Sequence, residues 1–175
     1  DWPEMSHAGA AAALFWQLEI EALMEHKAQA RGYPISDKDV EWITYEFYKS
    51  STRRSALDVH HARASQNKVS HDMADRFANI DVLITPTVAL APPLIGGFVA
   101  TGERHLEEWY KNAYAFSPFT EVFNLTGQPA ISIPVGIMEG GLPIGMQIVG
   151  KFGDEETILR LAGEVERSLL ATALF

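Results

Sequence analysis

The chain has no cysteine. Disulfides, thiolate nucleophiles and cysteine-ligated metals are therefore excluded within it. Basic residues are few: 14 Lys and Arg stand against 23 Asp and Glu, a formal net charge of -9. An acidic excess disfavours nucleic-acid phosphates and anionic membrane surfaces, so neither partner is expected. The densest basic spot, Arg53–Arg54, reads as a solvated helix end. No apolar run approaches the roughly 18 residues of a membrane-spanning helix. The opening Asp1-Trp2-Pro3-Glu4 has no Met and no charged segment ahead of an apolar one, so it is not a signal peptide. A beginning of this kind points to a piece of a longer protein. Catalytic signatures are missing too. No G-x-S-x-G elbow occurs, and neither Gly96–Gly97 nor Gly140–Gly141 is followed by Lys-Ser/Thr, which excludes a P-loop.

What is present is a core. Hydrophobic residues make up 47% of 175, with four Trp, five Tyr and nine Phe. That suits one domain or a large piece of one.

Gly9 to Arg31 reads as a helix, closed by Gly32 and Pro34. Gln17, Glu21 and Glu25 recur as a narrow polar stripe, while Leu14, Phe15, Leu18, Ala22 and Leu23 call for burial on the other sides. Ser36 with Asp39 resembles a cap for a second helix, which carries Val40, Ile43 and Phe47 on one face. After a break near Ser50–Arg54, a third helix runs from Ser55 to Phe77. Asp81 to Thr85, ending at Pro86, is short and β-branched and reads as a buried strand. Ala89 to Gly102 reads as a loop. Leu106, Trp109, Tyr110 and Ala113 suit a further helix. Ile131 to Val135 and Ile144 to Val149 read as strands of an antiparallel hairpin, punctuated by Gly136, Gly140 and Gly141. Asp154 to Leu170 is a helix whose acidic start suits the positive end of its dipole. Strands this apolar on both faces want covering layers on both sides, in an α/β arrangement. Three strands make a thin sheet for that, which implies strands beyond this sequence.

The six histidines do not form a metal motif. His60 and His61 project from different helix faces, His71 is remote, and His7, His26 and His105 are isolated, so no metal or other cofactor is expected. Ser50–Ser51 read as helix-end polarity. Asn124, Thr126 and Gln128 form a polar cluster beside Pro129. It is either a loop satisfying its own backbone or a loop lining a cleft at the end of a sheet.

Three phrases in order carry a family likeness: DVLITPT from Asp81 to Thr87, PFTEVFNLTGQPAISIPVG from Pro118 to Gly136, and GLPIGMQIVGKFGDEETILRLAGEVE from Gly141 to Glu166. Together they cover about half the chain and resemble the C-terminal core of the amidase signature family. The resemblance implies an α/β/α fold with a mixed sheet flanked by helices. Residues 1–175 would be the C-terminal portion of one amidase domain, with a helical segment 1–78 and a strand, hairpin and helix segment 79–175. It implies a hydrolase of carboxamide C–N bonds in which one serine attacks the carbonyl, and a second serine and a lysine move the proton. Those residues belong to a GGSSGG-like region and an upstream lysine that have no match here, so no catalytic residue is carried over. The chain alone is expected to be inactive. In relatives the segment before the FNLTG phrase lines the substrate pocket, which makes Tyr114, Ser117 and Phe119 the substrate-binding candidates; core packing competes for Phe119. Amidotransferase subunits carry Asp where Ser117 stands, so a general amidase is favoured. The alternatives are a non-catalytic binding module or a subunit of an amidotransferase complex. Nearby aromatic residues fit an apolar acyl group or ordinary core. A small-molecule amide substrate, a homodimer and a cytoplasmic setting complete the expectation.

Overall fold

Alanines from Ala10 to Ala13 and the straight-chain residues after them favour the helical conformation, and the longest helix among the described residues begins here. The computed structural model describes residues 8–51, 54–97 and 106–171. In chain order the elements are α1 (Gly9–Arg31), α2 (Trp42–Ser51), α3 (Ala56–Phe77), β1 (Val82–Pro86), α4 (Leu106–Phe116), α5 (Glu121–Thr126), β2 (Ala130–Ile137), β3 (Pro143–Gly150) and α6 (Glu155–Ala171). The loop expected over Ala89–Gly102 lies partly outside the described residues, as do His7, Arg53 and His105.

α1 stops at Gly32, whose left-handed φ of 77° turns its N–H back to Ala28 O. The expected polar stripe on α1 is corrected: Gln17 is buried alongside Ala11, Leu14 and Met24, whereas Ala22 and Leu23 are exposed. Gln17 tolerates burial because both ends of its amide are bonded, Nε2 donating to the Tyr110 hydroxyl at 3.1 Å and Oε1 accepting from Arg54 at 3.3 Å. Ser36 and Asp39 do not cap α2. They close a turn on themselves, with the Ser36 N–H and hydroxyl both donating to Asp39, which Arg31 holds at 2.7 Å. α2 starts only at Trp42, so Val40 precedes it. The true capping box opens α3: the Ser55 hydroxyl accepts from the Asp58 N–H, and Asp58 accepts from the Ser55 N–H.

The sheet has the order β1-β3-β2, with every pair antiparallel. A register shift between Pro134 and Gly136 accommodates a proline that cannot donate to the ladder. Thr85, Gln147 and Ser132 stand side by side on one face, Ile84, Ile148 and Ile131 on the other. The apolar face packs under α6 through Ile148, Ile158 and Ala162. The opposite face sends Leu83 and Val149 into the main core, built on α1, α3 and α5 around Leu14, Met73, Phe77 and Phe123. Helices thus lie on both faces, the α/β/α layering expected. The strands are not apolar on both sides throughout, because Thr85, Ser132 and Gln147 make a polar strip on the helical-bundle face. Beyond the core, Phe47 is 2% exposed and gathers Trp16 (5.7 Å, stacked), Trp109 (5.6 Å, edge-on) and Tyr110 (5.2 Å, edge-on). This cluster ties α2 and α4 to α1. Among the described residues no helix is long and apolar enough to cross a membrane.

Candidate active-site clefts

α4 and α5 meet at a tight connection, residues 117–120, and two clefts open on either side of α5. The larger, about 520 Å³, is bounded by α1, α3, α4 and α5. The smaller, about 370 Å³, lies between α5 and the polar strip of the sheet. Thr120 and Asn124 line both, so the start of α5 is a shared wall.

The connection is held from below by Gln147. This side chain is 5% exposed, and its Nε2 donates both protons, one to Thr85 Oγ1 and one to Phe119 O, each at 3.0 Å. Beside it the Thr87 and Ser132 hydroxyls share a 2.6 Å hydrogen bond. Gly145 must be glycine for that pair to form, since a Cβ there would stand 2.8 Å from Thr87 Oγ1 and 3.3 Å from Ser132 Oγ.

The larger cleft has aromatic walls from Trp16, Trp109, Tyr110 and Tyr114. Glu121 enters it from the first turn of α5 and is half-buried. Burial pushes its carboxyl up from the ordinary glutamate value, and its charge in turn contributes to raising the Tyr110 and Tyr114 hydroxyls, for which burial is the larger cause. Its Oε2 lies against the start of α1, where a Cβ on Gly9 would be 3.8 Å away. Arg63 also lines the cleft, but its guanidinium is bonded to Gln66 Oε1 at 3.0 Å and stacked over Phe15 at 4.9 Å.

Tyr114 and Ser117 line this same cleft. Ser117 Oγ donates to Ala113 O at 3.1 Å, a helix-end bond. Phe119 does not line it; its carbonyl faces Gln147 instead. The polar cluster around Pro129 divides: Asn124 and Thr126 belong to α5, and Gln128 stands in the link to β2. Asn124 faces the clefts, whereas Thr126 donates to Gln128 at 3.0 Å and Gln128 to Gly150 O at 3.2 Å. Ser50 and Ser51 bond the Phe47 and Tyr48 carbonyls, as helix-end residues do. Among the described residues no group of three or more His, Asp or Glu could hold a metal ion. Glu121 and Gln147 escaped the sequence reading. The signal for the polar strip was the alternation Ile131-Ser132-Ile133; nothing local marked Glu121.

The Amidase family profile matches residues 8–159. The chain is 34% identical over 154 residues to 6-aminohexanoate-cyclic-dimer hydrolase of Paenarthrobacter ureafaciens, covering 83% of this chain and 31% of that protein. It is 36% identical over 107 residues to a glutamyl-tRNA(Gln) amidotransferase subunit of Parvibaculum lavamentivorans, covering 61% and 20%. The solved structure of 6-aminohexanoate cyclic dimer hydrolase complexed with substrate superposes with a TM-score of 0.85 at 28% identity, over 97% of this chain and 37% of that one. The chain therefore spans about a third of the length of the hydrolase it resembles.

Proposed function

The chain belongs to the amidase family, and from that membership we propose that it is the C-terminal, substrate-shaping portion of a single amidase domain that hydrolyses carboxamide C–N bonds. The observation that carries this reading is the pair of adjoining clefts around α5. They offer aromatic walls, hydroxyls and an exposed Asn124, and neither lining includes a lysine. Such a surface can hold and orient an amide, but it lacks the lysine that the family's serine mechanism uses. In this reading the attacking serine, the second serine and the lysine come from sequence outside these 175 residues. The chain alone is then inactive, because positioning without a nucleophile or oxyanion donors opens no acyl-transfer route.

Tyr114 and Ser117 are the substrate contacts in this proposal, and Phe119 acts through its backbone, as the point where Gln147 fixes the connection. The ligand is a small-molecule amide, not a nucleic acid or membrane, in a cytoplasmic homodimer. The amidotransferase reading is weaker, because Ser117 cannot supply a carboxylate.

The test is the intact mass of the protein as its own cell produces it, with the activity of that form. The expected mass is well above 19.4 kDa. The long form should release ammonia from simple amides, and the isolated 175 residues should not. A natural mass near 19.4 kDa, or saturable hydrolysis by the isolated chain, overturns the reading.

A further inference from the structure

Glu121 stands on the lining of the larger cleft. It is half-buried beside Trp109, Tyr110 and Tyr114, and it makes no hydrogen bond or ion pair with any of the described residues. Half-burial without a partner costs the charged carboxylate part of its hydration, a cost that an opposite charge on a ligand offsets. The cleft's own cation does not: Arg63 is committed to Gln66 and the Phe15 ring, and burial alone acts on the Glu121 carboxyl. Glu19 is a second carboxylate on the same lining, and no lysine is present there. Aromatic ring faces also attract cations through their quadrupole.

We propose that the α1/α3/α4/α5 cleft is a binding site for a primary alkylammonium group, with Glu121 as the counter-ion and Trp109, Tyr110 and Tyr114 packing the methylenes. The proposal rests on the amide-hydrolase reading and narrows it. The substrate is an amide that also carries an amino group, separated from the carbonyl by enough chain to pass the Thr120–Asn124 wall.

The experiment titrates the full chain with hexylammonium chloride and, separately, with the neutral 1-hexanol, read by intrinsic tryptophan fluorescence, to which Trp16 and Trp109 on the cleft lining contribute. Hexylammonium is expected to bind about tenfold or more tightly, the scale of one charge-assisted hydrogen bond. In Glu121→Gln, of the same shape without the charge, the two affinities should converge while 1-hexanol binding persists. That persistence shows that the cleft is still folded. Equal affinities in the unmodified protein, no binding of either probe, or a cation preference surviving in Glu121→Gln overturns the proposal. The unmodified comparison decides without any variant. Hydrolysis of neutral amides is measured separately, on the long form that the cell produces. Hydrolysis without ammonium selectivity sinks only this inference, and selectivity without hydrolysis sinks only the enzymatic reading.

Discussion

Glu121 costs the fold something that depends on pH. Its folded carboxyl titrates above its ordinary value of 4.5 because burial penalises the charged form. Below 4.5 both folded and unfolded chains hold the proton and nothing is lost. Between 4.5 and the raised value the folded chain binds more protons than the unfolded one, so stability falls as pH rises. Above that interval the full cost is present. Glu121→Gln should remove this slope and raise the melting temperature at neutral pH, read by thermal denaturation across the pH range. An identical slope in the variant would refute the assignment. Asp39 runs the other way, held down to about 2 chiefly by Arg31, but it is exposed and its contribution is screened. Sequence could nominate Tyr114 and Ser117 through resemblance. It could not find Glu121, because what buries that carboxyl is packing against α1, more than a hundred positions away.

Capping separates what a motif says from what a helix does. Ser36-x-x-Asp39 and Ser55-x-x-Asp58 have the same spacing, and each pair makes the same side-chain bonds. Only the second is followed by a helix, since Arg31 draws Asp39 into a turn that ends before Trp42. Ser55→Ala should therefore destabilise by about 1 kcal/mol. Ser36→Ala should leave helix content unchanged, and circular dichroism with chemical denaturation distinguishes them. Loss of helix signal in Ser36→Ala alone would reverse the assignment. The long periodic elements α1, α3 and α6 and the hairpin were legible because their apolar spacing runs for several turns or alternates cleanly. α5 was not. Its six residues, Glu121–Thr126, are too few to display a period, and the helix is fixed by Val122, Phe123 and Leu125 entering the core.

On the scale of the whole molecule, the sheet is small for the layers around it. β1 is an outer strand carrying Ile84, 53% exposed, and Ile144 on β3 remains exposed on the same face. An exposed apolar edge invites another chain. The 175-residue chain should associate on sizing with light scattering, and Ile84→Lys should shift it toward monomer. A non-associating monomer at high concentration counts against this. The register also has a consequence in time. Among the described residues β1 pairs with β3, from Val82↔Gly150 to Pro86↔Met146, and with no other strand. During synthesis β1 thus emerges about 60 residues ahead of its partner, a wait of roughly 3–12 s at ribosomal speeds of about 5–20 residues per second. Throughout that interval the helices can settle, but the strand cannot. The protein's most vulnerable moment comes before β3 is made, when chaperone access to VLITP should matter most.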